Sequence, residues 1–191
     1  MRVDRAREAA LDALAACRRN GAWIDGALKQ VLKRDGLSGR DAAFASRIAY
    51  GVMQNRIYLD RCLARCLTQR PEKLEPLLLD ILRVGAYQIL FMDKVPVNAA
   101  VNEAVEMAKA HKLSRAAGLV NAVLRNVDRR RGEPLAFADE LEALSVQTSH
   151  PRALVERMVG LLGAEEAEAF LRADNEPVPT TIQTNTLKTT A

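Results

Sequence analysis

The chain has 191 residues, of which 49% are hydrophobic and 4% aromatic, with 28 Lys+Arg against 24 Asp+Glu. This composition is typical of a soluble globular protein of one or two domains with a sizeable core, and it argues against global disorder. Three cysteines, and an N-terminus in which Asp4, Glu8 and Asp12 interrupt the apolar residues, indicate a reducing cytoplasm rather than secretion.

The first third of the chain has the apolar spacing of helices. Apolar residues recur at three- and four-residue steps over residues 3–20, where Asn-Gly ends the pattern, and again over residues 23–34. Ser38, with Asp41 three residues on, resembles a capping box. It would open one long helix that continues towards Leu67.

The most apolar segment, residues 74–92, predicts a helix in the middle of the fold. Its apolar residues occur nearly all round, and its polar edge is limited to Asp80 and Arg83. Charges in mid-span are unfavourable in a membrane, so no membrane association is expected.

Two more helices complete the first part of the chain, at 98–111, with Asn98 as the N-cap, and at 114–131. The prediction is an all-α domain over residues 1–132, built from two groups of three helices at 3–70 and 72–131.

The remaining residues have a different character. Short acidic helices are predicted at 139–144, 151–162 and 164–173, which form an acidic helical linker over residues 133–176. Residues 177–191 are rich in Thr and alternate like a strand. A lone strand has no partner for its backbone groups, so this segment reads as the beginning of an α+β domain whose remainder lies further along the chain.

Charge divides the chain at residue 132. Residues 1–132 hold 24 Lys+Arg and 14 Asp+Glu, whereas residues 133–191 hold 4 and 10. The division suggests a basic module that meets an anion, followed by an acidic segment, although two ordinary solvated surfaces would give the same counts. Eight aromatic residues are too few for the stacking surfaces of single-strand-binding sheets, so any nucleic-acid contact is expected to be electrostatic first.

Arginines in the first helical turns are the first candidate RNA contacts. Arg2, Arg5 and Arg7 oppose the helix macrodipole there, and a phosphate partner would explain their position. A solvated, frayed terminus is the alternative.

The helix at 114–131 carries the second set of candidates. Asn121, Arg125 and Arg129 follow one another at one-turn steps on its polar face, and such a row can follow a nucleic-acid backbone. The helix dipole alone would also favour Arg129 near the C-terminus.

No catalytic, cofactor-binding or metal-binding residue is predicted. Cys62 and Cys66 lie four apart on one helix face, but only Cys17, His111 and His150 remain as further ligands, and their spacing is not that of a zinc site. The cysteines are therefore interpreted as buried small hydrophobic residues. No glycine-rich phosphate loop follows a strand.

Several motifs, in order and spacing, resemble the NusB fold. They are Tyr50-Gly51-Val52, Asn55-Arg56, Leu59-Asp60, Gly85-Ala86-Tyr87-Gln88-Ile89-Leu90, Val95-Pro96, Asn102-Glu103-Ala104-Val105 and Val120-Asn121-Ala122-Val123-Leu124-Arg125. The following segments are similar to the region that leads to the catalytic part of bacterial ribosomal RNA small-subunit methyltransferase B: Ser149-His150-Pro151, Asn175-Glu176-Pro177 and Asn185-Thr186-Leu187-Lys188. In place of the arginine usual in that family before the last segment, this chain has Gln183 and Thr184.

This resemblance implies the N-terminal RNA-binding domain of an enzyme that makes 5-methylcytosine with S-adenosylmethionine and two catalytic cysteines. Neither cysteine loop is matched in residues 1–191, so no cofactor is expected in this chain and no methyl transfer by it alone. Small-subunit ribosomal RNA is the expected partner, and DNA is not expected. The alternatives are a free-standing NusB-type transcription antitermination factor with a ribosomal-protein partner, and a helical scaffold that binds only protein.

Overall fold

The computed structural model describes residues 3–176 and Lys188, and the described residues form ten α-helices. The helices are α1 Arg5–Asn20, α2 Ile24–Asp35, α3 Gly39–Gln54, α4 Arg56–Ala64, α5 Pro76–Phe91, α6 Val97–Ala110, α7 Ala117–Arg129, α8 Glu140–Thr148, α9 Arg152–Leu162 and α10 Ala164–Ala173. The all-α fold class is confirmed. The strand predicted within residues 177–191 lies outside the described residues, of which only Lys188 belongs to that segment.

Local signals in the sequence set the ends of α1. The Asp4 carboxylate accepts a hydrogen bond of 3.0 Å from the backbone N–H of Arg7, which satisfies one of the unpaired donors of the first turn. At the other end Gly21 adopts a left-handed conformation with φ of 62°, which glycine reaches without a Cβ penalty.

The predicted long helix after Ser38 is instead two helices, and Asn55 separates them. The Asn55 side-chain amide donates to the carbonyl oxygen of Gly51 at 2.9 Å, and its backbone N–H donates to the same oxygen at 3.0 Å. A side chain that competes for a backbone carbonyl disfavours helix continuation. The first group therefore has four helices, α1 to α4, rather than three.

Two predicted caps do not form. Ser38 has extended backbone before α3, but its side chain makes no capping hydrogen bond, so the capping box with Asp41 is absent. Asn98 lies inside α6, which begins at Val97 after Pro96. Pro96 occupies the N-cap position with extended backbone, φ of −61° and ψ of 135°, so the helix begins before the predicted cap.

The core lies around α5, as its apolar sequence predicts. This helix packs against α1, α3, α4, α6 and α7. Leu82 and Ile89 on α5 are fully buried or nearly so, and the contiguous core cluster draws all its residues from the range between Ala6 and Val127. We refer to residues 3–132 as the helical domain.

Two glycines allow close approach of the helices. A Cβ on Gly51 of α3 would lie 1.9 Å from Cζ of the Tyr87 ring on α5. A Cβ on Gly85 of α5 would lie 2.5 Å from Cδ1 of Leu124 on α7. These two positions set the separation of α5 from its neighbours, because any larger residue would overlap a buried side chain.

A buried ionic network joins α1, α4 and α5. Asp80 is 3% exposed and accepts from Arg18 at 2.8 Å and from Arg83 at 3.1 Å. Arg83 also binds both carboxylate oxygens of Asp60, each at 2.8 Å. Each carboxylate in this network therefore has an arginine partner, as burial of charge requires.

Residues 133–176, the acidic linker, form α8, α9 and α10, which pack on one another, while α8 also packs on α4. Their buried apolar residues are few, chiefly Val155, Ala167 and Leu171. Leu161 is 70% exposed and Phe170 is 51% exposed.

Polar contacts attach the acidic linker to the helical domain. The backbone N–H of Ile57 donates to the Ser149 hydroxyl at 3.1 Å, and the Gln54 amide donates to the backbone oxygen of Asn175 at 3.0 Å. Two ion pairs join the same surfaces: Arg61 with Glu142 at 3.3 Å and Arg65 with Glu133 at 2.8 Å. Opposite charge in the two regions therefore contributes to their contact.

Candidate nucleic-acid interface

The structure separates the predicted arginines of the first helix. Arg2 lies outside the described residues. Arg5 is exposed, and its guanidinium donates to the backbone oxygen of Asp35 at the C-terminal end of α2. A guanidinium has five N–H donors, so one backbone contact leaves most of them available to a phosphate.

The Arg7 side chain is held by contacts within the protein. It is 9% exposed; its Nε donates to Oε1 of Gln88 at 2.7 Å, and its guanidinium lies over the Phe44 ring, 4.9 Å from the centroid. A 3.3 Å ion pair with Asp4 occupies the remaining side. Arg7 therefore has no free face for a phosphate and does not belong to the exposed basic surface.

The row on α7 has the geometry that its spacing predicts. Nε of Arg125 donates to Oδ1 of Asn121 at 3.1 Å, and Arg129 donates to the side-chain oxygen of Asn126. Both arginines are exposed, and neither forms an ion pair with a carboxylate of residues 3–176. The side-chain amides orient the guanidiniums without neutralising them.

A cavity of about 350 Å³ follows this row, where α7 meets the first residues of the acidic linker. Arg65, Arg130 and Arg131 line it. Arg65 is paired with Glu133, and Arg131 with Asp93 at 3.1 Å, whereas Arg130 has no carboxylate partner among residues 3–176. Positive charge therefore continues from α7 to the rim of this cavity.

Further exposed cations on α1 to α3 were not among the candidates. These cations have no ion-pair partner within the described range 3–176. The set consists of Arg19, Lys29, Lys33, Arg40 and Arg47. A signal for two of them is present in the sequence. Arg19 and Arg47 have no acidic residue three or four positions away on their helices, which removes the usual local partner.

The cysteines are partly buried and not fully buried as predicted. Cys17, Cys62 and Cys66 are half-buried and free, and burial raises the pKa of each thiol. For Cys66, nearby Arg130 and Arg65 oppose that rise in pKa but do not cancel it. Within residues 3–176, no group of three His, Cys, Asp or Glu side chains is arranged to hold a metal ion.

None of the helices in the described part of the chain is both long enough and apolar enough to span a bilayer.

The architecture and its surface define an all-α bundle with a basic exterior and an acidic helical extension. Residues 4–129 match the NusB family. Because the match covers well over half of the chain, the chain belongs to the NusB family. The resemblance recognised in the sequence motifs is thereby confirmed.

Comparison with known proteins finds relatives of two kinds. The chain is 35% identical over 190 residues to a probable ribosomal RNA small subunit methyltransferase B of Bacillus subtilis, covering 98% of this chain and 42% of the relative. It is 37% identical over 93 residues to the transcription antitermination protein NusB of Bacillus licheniformis, covering 48% of this chain and 72% of that protein. The chain thus spans less than half the length of the methyltransferase.

Among solved structures, the fold is similar to a crystal structure of the antitermination factors NusB and NusE in complex with double-stranded RNA. The TM-score is 0.61 at 19% sequence identity, with 65% of this chain and 94% of that chain covered. At this identity the likeness establishes the NusB-like fold alone.

Proposed function

We propose that this chain is the RNA-recognition region of a ribosomal RNA cytosine-C5 methyltransferase and positions small-subunit ribosomal RNA. Methyl transfer from S-adenosylmethionine would belong to a catalytic domain outside residues 1–191. The observation that carries the proposal is a set of exposed arginines without an ion-pair partner among residues 3–176, on a NusB-family domain that is similar along nearly the whole chain to a probable small-subunit methyltransferase.

The proposed contact is electrostatic and follows the shape of folded RNA. Arg125 and Arg129 would contact successive phosphates, since they lie one helical turn apart and no carboxylate in the described part of the chain, residues 3–176, neutralises them. Arg5 on α1 adds a separate point of positive charge, and Arg130, the residue that follows α7, extends the row. Such distributed contacts suit RNA, whose helices are recognised largely through shape and backbone.

The chemistry of the thiols supports the proposal that this chain binds RNA and that another domain carries out methyl transfer. A cysteine nucleophile needs a low pKa and access to substrate. Burial raises the pKa of Cys17, Cys62 and Cys66 instead, so these residues are poor candidates for attack on a cytosine. We expect residues 1–191 alone to transfer no methyl group.

The test is a binding titration of the chain with a small-subunit ribosomal RNA fragment over a range of salt concentrations. Replacing Arg125 and Arg129 by Glu should weaken binding and reduce the salt slope by about one for each phosphate contact that is lost. Arg157→Glu is the matched control, since Arg157 is an exposed arginine of the acidic linker and has no ion-pair partner within residues 3–176. Equal affinity and equal slope in all three proteins would refute the proposed surface.

A duplex DNA of equal length is the competitor that tests the RNA preference. We expect it to displace the RNA poorly, because the 2′-hydroxyls and A-form shape distinguish the two nucleic acids. Equal competition by DNA would reduce the proposal to non-specific polyanion binding.

A second candidate is a NusB-type antitermination factor that acts with a ribosomal protein. The similarity to the Bacillus licheniformis antitermination protein, of which the chain covers 72%, favours it. A stable stoichiometric complex with the ribosomal protein NusE, with RNA binding that requires this complex, would support the second candidate over the first.

A further inference from the structure

Trp23 is the most exposed large apolar residue of the described chain. Its side chain is 85% exposed at the turn between α1 and α2, and it is the only tryptophan of the protein. The residue precedes α2 with extended backbone, and its side chain makes no capping hydrogen bond. Neither core packing nor helix capping therefore explains an indole at this position.

A cleft of about 400 Å³ begins beside this tryptophan. Gly21 and Ala22, the two residues before it, line the cleft together with residues of α1, α3 and α5. The volume falls within the range of about 300–1,000 Å³ that is usual for small-ligand sites. A group of nucleotide size thus has room in a cleft that reaches the residue before Trp23 in the chain, although Trp23 itself is not part of the lining.

The polar lining of the cleft carries excess positive charge. Its charged residues are Arg18, Arg56, Arg83 and Asp80. Asp80 is already bound by Arg18 and Arg83, so it offers no free carboxylate. Arg56 forms no ion pair within residues 3–176 and occupies the first position of α4, where the helix dipole disfavours a cation.

The surroundings of Trp23 favour a nucleic acid over an apolar protein surface. Its exposed neighbours along the chain are Asn20, Gly21, Asp25 and Gly26, and the hydroxyl of the exposed Tyr50 donates to Asp25 at 2.7 Å, so the chain beside the indole is mostly polar or glycine. Arg19 adds an exposed cation without a carboxylate partner within the described range 3–176. An exposed aromatic face near arginines is the combination that single-stranded nucleic acids use, with stacking on the ring and phosphate contacts on the cations.

We propose that Trp23 and the adjoining arginine-lined cleft form a subsite for an unpaired nucleotide of RNA, with the base stacked on the indole and a phosphate held by Arg56. The subsite rests on the proposed RNA-binding function and adds to it a preference for a single-stranded segment. It also adds a stacking contact to the expectation that nucleic-acid contact is electrostatic first, since one exposed aromatic residue beside cations suffices for stacking.

Tryptophan fluorescence tests the subsite directly, because all tryptophan emission of the chain comes from Trp23. Titration of the full chain with a short single-stranded oligoadenylate should quench the emission to saturation, and added salt should weaken the binding. Inorganic polyphosphate should bind the arginines with little quenching, because it has no base. Equal quenching by polyphosphate, or no quenching by the oligonucleotide, would overturn base stacking.

Amino-acid substitutions separate the contribution of base stacking to oligonucleotide binding from the contribution of positive charge. Trp23→Leu should lower the affinity for the oligonucleotide about tenfold, whereas Trp23→Phe should retain most of it. Arg56→Gln should reduce the salt slope while quenching at saturation persists. Phe170→Leu removes another exposed aromatic, on α10, and should change nothing. Equal affinity of Trp23→Leu and the unaltered chain, measured by anisotropy of labelled oligonucleotide, would refute the subsite.

The outcomes distinguish the subsite from the function on which it rests. If the unaltered chain binds no ribosomal RNA, the proposed function fails and the subsite fails with it. If ribosomal RNA binds and Arg125→Glu weakens that binding while Trp23→Leu does not, the function stands and the subsite alone is refuted. A Trp23 response to a ribosomal protein but not to oligonucleotide would also overturn the subsite and assign the indole to a protein contact.

Discussion

The helical domain and the acidic linker are built from helices of similar kind but are stabilised differently. The contiguous core cluster lies entirely between Ala6 and Val127, whereas the linker buries little more than Val155, Ala167 and Leu171. Hydrogen bonds and ion pairs join the two regions, as in the contact of Ile57 with Ser149. The helical domain can therefore be stable through its own burial of apolar area, and the linker depends on contact with a neighbour.

The arginines differ in the same way. On the linker, Arg152 is bound by Asp139 at 2.9 Å and by Glu156 at 2.8 Å, and Arg172 by Glu168 at 2.6 Å. On the helical domain, many exposed cations have no such partner within residues 3–176. Two of the three arginines of the linker form ion pairs within it, whereas exposed arginines of the domain such as Arg125 and Arg129 have no carboxylate partner within residues 3–176 and remain available to an external anion.

Removal of Asp80 should have the largest effect, because the helical domain, unlike the linker, contains a buried ionic network. Asp80→Ala leaves Arg18 without its partner and Arg83 with Asp60 alone, and breaking a buried pair in this way costs about 3 kcal/mol of unfolding free energy. The loss should appear as a lower midpoint in urea unfolding. Asp93→Ala is the control, since Asp93 forms an exposed pair with Arg131, and it should stay within about 0.5 kcal/mol. Equal stability of the two variants would contradict the structural role given to the buried network.

Leu171→Ala should act on the linker alone. Leu171 is fully buried, and its truncation costs about 2 kcal/mol, which is enough to open a region with so little core. Hydrogen exchange should therefore accelerate in α8 to α10 and stay unchanged in α5. Leu161→Ala, at a position 70% exposed, should leave exchange unaltered. Faster exchange throughout α5 in Leu171→Ala would mean that the two regions unfold as one unit.

The smallest effect is expected on the rate of thiol alkylation. This rate reports on the seam between the two regions, the cavity that Cys62 and Cys66 of the helical domain line together with Phe137 of the linker. Burial raises the pKa of Cys62 and Cys66, so less thiolate is present near neutral pH. Both thiols should therefore react severalfold more slowly with iodoacetamide than the amino acid cysteine in solution, and their reaction rates should increase as the pH rises. Phe137, from the start of the linker, lines the same cavity as these thiols. Phe137→Ala should accelerate both thiols, as measured by mass spectrometry.

Cys17 is the internal control of this measurement, because it lies on α1 and lines a different cleft. Its alkylation rate should not respond to Phe137→Ala. A parallel increase at Cys17 would indicate general loosening instead of a local opening at the seam.

Much of the fold follows from local patterns in the sequence, but contacts distant along the chain do not. The apolar residues of α5 predict its central position correctly, because an all-round apolar helix has no favourable place at the surface. Arg7 was predicted at a phosphate surface, whereas its partner Gln88 lies 81 residues away and no local pattern reveals it. The break at Asn55 was missed for a different reason, since helical spacing continues across it and only the side-chain hydrogen bond interrupts the helix.

The candidate site was predictable to a similar extent. Helical periodicity places Asn121 and Arg125 on one face, and their side chains do meet. The exposure of Trp23 was not predictable, because periodicity alone does not distinguish a buried aromatic at a turn from an exposed one.

The missing Cβ of Gly51 has a mechanical consequence for the pair α3 and α5. Sliding α3 along its axis by about one helical turn would bring the side chain of Ile48 or Asn55 against the Tyr87 ring, where even a single added carbon would overlap. The pair therefore cannot relieve a pulling force by gradual shear. Under load, as in an optical-tweezers measurement, we expect these two helices to hold their register and then come apart in one abrupt step.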